Sequence, residues 1–97
     1  MATYVTLYNF TDQGIKNIKD TVKRAEAAKK AGAAMGVTVK EVLWTQGQYD
    51  IVLITEGPDE LAGSALALNT LKQGNVRGQT LRAFTAAEMA KILEQVA

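Results

Sequence analysis

The sequence predicts an α+β fold in one domain spanning residues 1–97, with four strands and three helices. Runs rich in β-branched and aromatic residues alternate with runs whose apolar residues recur every three or four positions. A short polar connection, residues 46–48, joins the two middle strands as a hairpin. The third strand is apolar at four consecutive positions, Ile51 to Ile54, so both of its faces should be covered. This order is that of a ferredoxin-like βαββαβ sandwich with an extra C-terminal helix.

The first strand is predicted over residues 3–10 and the first helix from Asp12 to Met35. Thr11 or Asp12 supplies the N-cap, and Gly36 ends the helix in the usual C-terminal position. One side of this helix should be buried, because its apolar residues are spaced by three and four. The predicted buried residues are Ile15, Ile18, Val22, Ala25, Ala28, Gly32 and Met35.

The remaining strands are predicted over residues 37–45, 49–56 and 75–84. The second helix begins at Gly57–Glu60, where Pro58 suits a first-turn position and two acids face the positive end of the helix dipole; Gly74 ends it. A capping box, Thr85–Glu88, opens the last helix. The predicted buried residues are Leu61, Ala65, Leu68 and Leu71 in the second helix and Met89, Ile92, Leu93 and Val96 in the last.

In this fold the helices cover one face of the sheet, and the sequence predicts that the other face is apolar as well. We expect Val5 and Leu7 of strand one to face the core. Tyr4, Thr6 and Tyr8 should then lie on the opposite face. A large apolar patch is unusual on a monomer. The sequence therefore predicts a homo-oligomer whose sheets pack face to face.

Composition excludes several classes of function. A net charge of +1 argues against a dedicated nucleic-acid-binding protein. The chain has no Cys and no His, so a thiolate metal site is excluded, and acid–base chemistry would need Asp, Glu, Lys or Tyr. We expect no metal and no cofactor. No apolar run approaches the ~18 residues of a membrane span and no signal peptide is evident, so a cytoplasmic protein without membrane association is expected.

Several separate motifs resemble the GYD-domain family, whose Gly-x-Tyr-Asp signature corresponds to Gly47–Asp50. Further matching stretches are Asn9–Gly14, Lys23–Ala27, Gly74–Arg77 and Thr80–Phe84. The resemblance covers essentially the whole chain. It implies a small prokaryotic protein related to the dimeric α/β-barrel group, in which two ferredoxin-like units pack their sheets together. It implies no particular activity, because the family is of uncharacterised role.

Tyr49 and Asp50 are the first candidate site, since a carboxylate beside a phenol can act as a general base. The structural alternative is that Asp50 accepts backbone N–H groups at the hairpin while Tyr49 packs at the end of the sheet. The adjacent acids Asp59 and Glu60 fit a helix N-terminus better than a cation site, because no calcium-loop spacing surrounds them.

The only arginines, Arg24, Arg77 and Arg82, form a second group of candidates. Their planar guanidinium groups suit a carboxylate or phosphate ligand. The alternative is that they form ion pairs between subunits, with Asp50, Glu41 or Glu56 as partners.

A third group comprises Trp44, Tyr4, Tyr8 and Asn9, which could line a cavity between sheet and helices. Cofactor-independent oxygenases occur in families related to the one that this chain resembles, but such an analogy is only at the level of the fold. Aromatic residues at alternating strand positions more commonly pack at an interface.

Three hypotheses follow. The first is a homo-oligomer that binds a small anionic or aromatic ligand beside the sheet, through Trp44, Tyr49, Asp50, Arg24, Arg77, Arg82, Tyr8 and Asn9. The second is a cofactor-independent, monooxygenase-like enzyme with Asp50, Tyr49 and Trp44 at its centre. The third is an assembly module without a ligand.

Overall fold

The computed structural model describes all 97 residues and confirms the predicted α+β fold. The elements are β1 (Ala2–Phe10), α1 (Asp12–Lys16), a 3-10 turn (Ile18–Asp20), α2 (Thr21–Ala34), β2 (Thr38–Trp44), β3 (Ile51–Gly57), α3 (Glu60–Leu71), β4 (Val76–Ala83) and α4 (Ala86–Leu93). No helix is both long enough and apolar enough to cross a membrane.

The four strands form one antiparallel sheet in the order β2-β3-β1-β4, so the first and third strands are central, as the predicted fold requires. Pairing places Val5 opposite Ile54 on one side and Leu81 on the other. The register of β2 shifts by one residue at Lys40, between Val39 and Glu41. This bulge lets both ends of β2 stay paired with β3.

The helices cover the face of β1 that carries Tyr4, Thr6 and Tyr8, which line the space beneath α2 and α3. The predicted assignment of Val5 and Leu7 to the core side was therefore wrong. Strand alternation separates these two sets of residues but does not choose between them, because both include large apolar side chains. We call the uncovered side, with Val5 and Leu7, the open face.

The predicted long first helix is interrupted, which is a second correction. Its chain leaves the α-helical path at Asn17 (φ −103°, ψ 28°), and α2 begins only at Thr21. α1 is held against the start of β4 by the backbone N–H of Thr11, which donates to the Asn75 carbonyl at 3.1 Å. The prediction of a buried side is consequently wrong for the first half of this segment, where Ile15, Ile18 and Val22 are exposed. Ala25, Ala28, Gly32 and Met35 are half-buried or buried as predicted.

Helix α3 is rotated from the predicted orientation. Leu61 and Leu68, which were predicted to be buried, are 82% and 65% exposed. Leu66 is buried instead, and the small residues Gly63 and Ala67 face the sheet beside it. At the start of the helix the Asp59 side chain accepts the N–H of residue 62, which makes Asp59 the N-cap. Pro58 was predicted to lie in the first turn of this helix, but it lies just before the N-cap.

The core is small, with nine of 97 residues buried. Tyr8, Ile51 and Val76 form its central cluster, and Val37 and Leu66 are buried elsewhere. The predicted capping box of α4 is present. The predicted buried side of the last helix is not covered within the chain, because Met89, Ile92 and Leu93 of α4 are exposed, as is Val96 beyond its end. The hydrophobic interior therefore lies almost wholly between the sheet and α2 and α3.

Candidate functional site

Two neighbouring cavities occupy the space between the helices and the sheet. We call them the Tyr4 cavity, of about 340 Å³, and the Arg24 cavity, of about 260 Å³. They lie side by side, since both are bordered by Tyr8, Ala28, Leu53, Leu66 and Thr70. Small-molecule sites in proteins have volumes of about 300–1,000 Å³, so the two cavities together are large enough for a ligand.

The cavities exist because small side chains face the sheet from both helices. α2 contributes Ala25 and Ala28, and α3 contributes Gly63 and Ala67. Larger side chains at these positions would fill the layer. α3 instead turns two leucines outward, as described above, so the space is not closed by its own apolar residues. Protein interiors are normally close-packed, so the side chains that border a void of this size lose favourable van der Waals contacts.

The Tyr4 cavity has a mixed lining. The Tyr4 hydroxyl is buried and has no hydrogen-bond partner. Thr6 Oγ1 and Thr80 Oγ1 lie 3.1 Å apart, and either can donate to the other. Arg82 and Glu60 supply one charge of each sign. The Tyr4 cavity is therefore bordered by a tyrosine whose hydroxyl has no partner, and the charged residues of its lining sum to zero.

Arg82 is already engaged by groups of its own chain. It forms an ion pair with Glu88 at 3.8 Å, and its guanidinium carbon lies 4.5 Å from the centre of the Phe84 ring. It also donates to the backbone carbonyls of Thr3 and Ala83. These contacts join the end of β4 to α4, so the role of Arg82 within this chain is mainly structural.

Arg24 is in a different position. Its Nη1 donates to the Asn17 carbonyl at 2.7 Å, whereas its Nη2 is buried and has no partner. None of the ion pairs of the chain includes it. Arg24 is also the only charged side chain that lines the Arg24 cavity. Its positive charge is therefore left without a counter-ion next to a largely apolar space.

Tyr8 lies at the junction of the two cavities, on the central strand β1. Burial raises the pKa of its phenol above the usual value, because the charged phenolate is poorly solvated there. The hydroxyl, which is protonated at neutral pH even at the usual tyrosine pKa, can donate a hydrogen bond to a ligand, and the ring supplies an apolar wall.

Tyr49 and Asp50 lie outside both cavities. Asp50 Oδ2 accepts the backbone N–H of Phe10 at 2.9 Å, and the N–H of Asp50 donates to the Tyr8 carbonyl at 2.8 Å. The Tyr49 hydroxyl accepts a hydrogen bond from Gln79 Nε2 at 2.9 Å. The Asp50 contacts extend the pairing of β1 with the chain just before β3, and the Tyr49 contact reaches across to β4, so both side chains bond to groups of the sheet.

Three further candidates also lie away from the cavities. Trp44 Nε1 donates to Thr21 Oγ1 at 3.0 Å, which fastens the end of β2 to the start of α2. Asn9 Nδ2 donates to the Gln48 carbonyl in the hairpin at 2.6 Å. Arg77 Nη1 donates to the carbonyls of Leu71 and Val76. Of the eight residues predicted to bind a ligand, the cavities bring together three: Tyr8, Arg24 and Arg82.

On the helix side of the site, Ala28 and Gly32 of α2 were predicted to lie on the buried side, whereas the small residues of α3 were missed. The four-residue spacing of Gly63 and Ala67 puts two small residues on one side of α3. This spacing is a sequence signal for open space or close approach. Tyr4, discussed above as an aromatic candidate, has a buried hydroxyl that only the structure reveals as unpartnered. No group of acidic side chains converges to hold a metal ion.

Comparison with known proteins gives a family and a fold. The family model described as "GYD domain" matches residues 4–93. The structure is similar to the crystal structure of TTHA0845 from Thermus thermophilus, with a TM-score of 0.57 and 26% sequence identity. That alignment covers 89% of this chain and 96% of the other. No curated protein matches the sequence.

Proposed function

This chain belongs to the GYD-domain family, and we propose that it is a homo-oligomeric protein that binds a small anionic or aromatic molecule between its helices and its sheet. One observation carries the proposal. The layer above the sheet contains two neighbouring cavities, and each is bordered by a residue that has a buried polar atom without a partner, Tyr4 with its hydroxyl at one and Arg24 with its Nη2 at the other.

Such groups are unfavourable unless something satisfies them. A buried donor without an acceptor lowers stability by about 1–3 kcal/mol, and more when the group is charged. A bound molecule that fills the space would restore packing contacts and accept these donors. The aromatic rings of Tyr4, Tyr8 and Phe10 border the same space and offer flat apolar contacts. Ligand binding therefore accounts for both the unfilled volume and the unpartnered donors.

The proposed assembly uses the open face. Its central part is a continuous apolar surface across the sheet, because strand pairing aligns one row of Leu81, Val5 and Ile54 and a second row of Leu7, Val52 and Leu43. Both edge leucines are exposed. A second copy of the chain is the proposed occupant, since one face of a sheet can be self-complementary about a two-fold axis.

The enzymatic alternative has less support. Asp50 and Tyr49 are not part of a cavity wall, and each makes hydrogen bonds within the sheet. Trp44 is likewise bonded to Thr21. An assembly module without a ligand would not account for the unfilled space. We therefore place binding ahead of both alternatives.

Native mass spectrometry of the purified protein tests the binding part. We expect an oligomer that carries an additional mass of a few hundred daltons or less, released on denaturation. If the protein is free of ligand, a one-dimensional NMR screen of small acids and aromatics follows, with the Tyr8 ring signals as the readout. Failure to detect any ligand in both experiments would contradict the proposal.

The assembly part is tested by matched leucine substitutions. Leu81→Lys places a charge on the open face, whereas Leu68→Lys places one on the outer side of α3; both leucines are exposed, so both variants should fold. We expect Leu81→Lys to shift the molar mass measured by light scattering toward the monomer and Leu68→Lys to leave it unchanged. The reverse result would move the interface to the helices.

A further inference from the structure

We infer that the ligand is a small monocarboxylate with an apolar body, held in the Arg24 cavity with Arg24 as its counter-ion. The inference rests on the proposed binding function and specifies its ligand. It assigns the anion to one of the three arginines and to one of the two cavities.

Arg24 is half-buried, and its Nη2 is buried without a hydrogen-bond partner. A charged group that is partly withdrawn from water is stabilised by an opposite charge next to it. The three ion pairs of the chain are Lys29–Glu26, Lys40–Glu56 and Arg82–Glu88, and none involves Arg24. The lining of the Arg24 cavity contains no Asp or Glu. A negative charge opposite Arg24 in this cavity would therefore be supplied by a molecule outside the chain.

The guanidinium of Arg24 is held in position before a ligand arrives. Its Nη1 donates to the Asn17 carbonyl, seven residues earlier. That carbonyl lies at the break in the helix, where it also accepts the N–H of Asp20 at 3.1 Å while the N–H of Thr21 donates to the Ile18 carbonyl. The bond from Nη1 therefore orients Arg24 at the wall of the cavity. A donor held in place loses less freedom on binding.

The other two arginines differ from Arg24 in their partners and positions. Arg82 has a carboxylate partner, Glu88, and Arg77 donates to two backbone carbonyls. Arg77 borders neither cavity. Only Arg24 combines a cavity position with an unused donor.

The charge and the wall of the Arg24 cavity indicate what kind of ligand fits it. One positive charge matches one negative charge, so a monocarboxylate fits better than a doubly charged phosphate. Most of the wall is apolar, with Phe10, Val42, Ile51, Leu53, Leu66 and Val76 on or beside the sheet. The cavity of about 260 Å³ corresponds to roughly nine water molecules at about 30 Å³ each. Three amide side chains, those of Asn69, Gln73 and Asn75, add polar groups to the wall.

Titration calorimetry with benzoate and with its neutral counterpart benzamide tests the inference. The two probes have nearly the same shape and differ in charge. A hydrogen bond to a charged group is worth about 1.5–3 kcal/mol, so we expect benzoate to bind the wild type roughly 10- to 100-fold more tightly than benzamide. Arg24→Gln should abolish that preference. Arg77→Gln, which changes an arginine outside both cavities, should retain it.

The outcomes are distinguishable. Equal binding of both probes, or a preference for benzoate that survives Arg24→Gln, would overturn the carboxylate inference while leaving the proposed binding function in place. Binding of neither probe to the wild type at millimolar concentration would also overturn the inference, and the proposed function would then stand or fall on the co-purified mass. If Arg24→Gln does not fold, the guanidinium NMR signals of wild-type Arg24 serve instead: they should move with benzoate and stay in place with benzamide.

Discussion

Substitution of Ala28 by leucine tests whether the space above the sheet is open. Ala28 is half-buried on α2 and borders both cavities. Leucine adds three carbon atoms, each worth about 0.8 kcal/mol when removed from water, and ordering its side chain opposes folding by about 0.5–1 kcal/mol. The net gain is roughly 1.5–2 kcal/mol. For a chain of this size we expect the Tm of the ligand-free protein to rise by on the order of 6–10 °C.

Differential scanning calorimetry of the ligand-free protein measures the effect, with Ala33→Leu as the matched control. Ala33 lies on the same helix, is exposed and borders neither cavity, so its substitution should change the Tm by less than about 2 °C. Ala28→Leu should also weaken benzoate binding, because the added carbons occupy the space of the ligand. If Ala28→Leu instead lowers the Tm while Ala33→Leu does not, the helices pack directly on the sheet. That result would refute the reasoning for a binding cavity.

Three further substitutions test other parts of the structure. Asp50→Asn should lower the free energy of unfolding in urea by about 1 kcal/mol, because its bond to the end of β1 loses its charge; unchanged stability would show that this carboxylate has no structural role. The pKa of Glu88 is lowered mainly by the backbone N–H of Thr85, to which the ionised carboxylate bonds. The capping box should therefore contribute its full stability above the usual carboxyl pKa, and this contribution should be lost as pH falls through the lowered pKa. Carboxyl NMR titration should show this low pKa, and Thr85→Ala should raise it; an ordinary pKa in the wild type would contradict the capping box. Gly14→Ala would bring a methyl group into the Asn75 carbonyl, so we expect the urea midpoint to fall by an amount equivalent to about 1–3 kcal/mol. An unchanged midpoint would mean that α1 does not pack against Asn75.

Much of the fold could be predicted from local patterns. Alternating β-branched residues mark the strands, and four consecutive apolar residues from Ile51 mark β3 as a central strand with two apolar faces. The ends of helices were also readable, since Gly36 and Gly74 have positive φ angles of 79° and 82° that favour glycine. The capping box at Thr85 follows from the same kind of local chemistry. Each of these features depends on a few neighbouring residues.

The candidate site was predicted only in part. Tyr8, Arg24 and Arg82 were named as ligand residues and do border cavities, but Tyr49 and Asp50, the residues of the family signature, do not. Tyr49 and Asp50 were predicted as site residues because a carboxylate and a phenol next to a buried strand are typical of acid–base catalysis. In the structure their hydrogen bonds are taken up by neighbouring backbone and side-chain groups.

Local patterns were enough to predict the order of strands and helices, the capping box at Thr85 and the two-sided apolar character of β3, because these depend on side chains along one segment. Local patterns could not establish which face of β1 the helices cover, where the first helix breaks or how α3 is rotated. These choices depend on contacts between segments distant in the chain, such as the Thr11 N–H with the Asn75 carbonyl. The cavities depend on the same choices. Small residues of α2 and α3 create a binding space only once the fold has placed them opposite Tyr8.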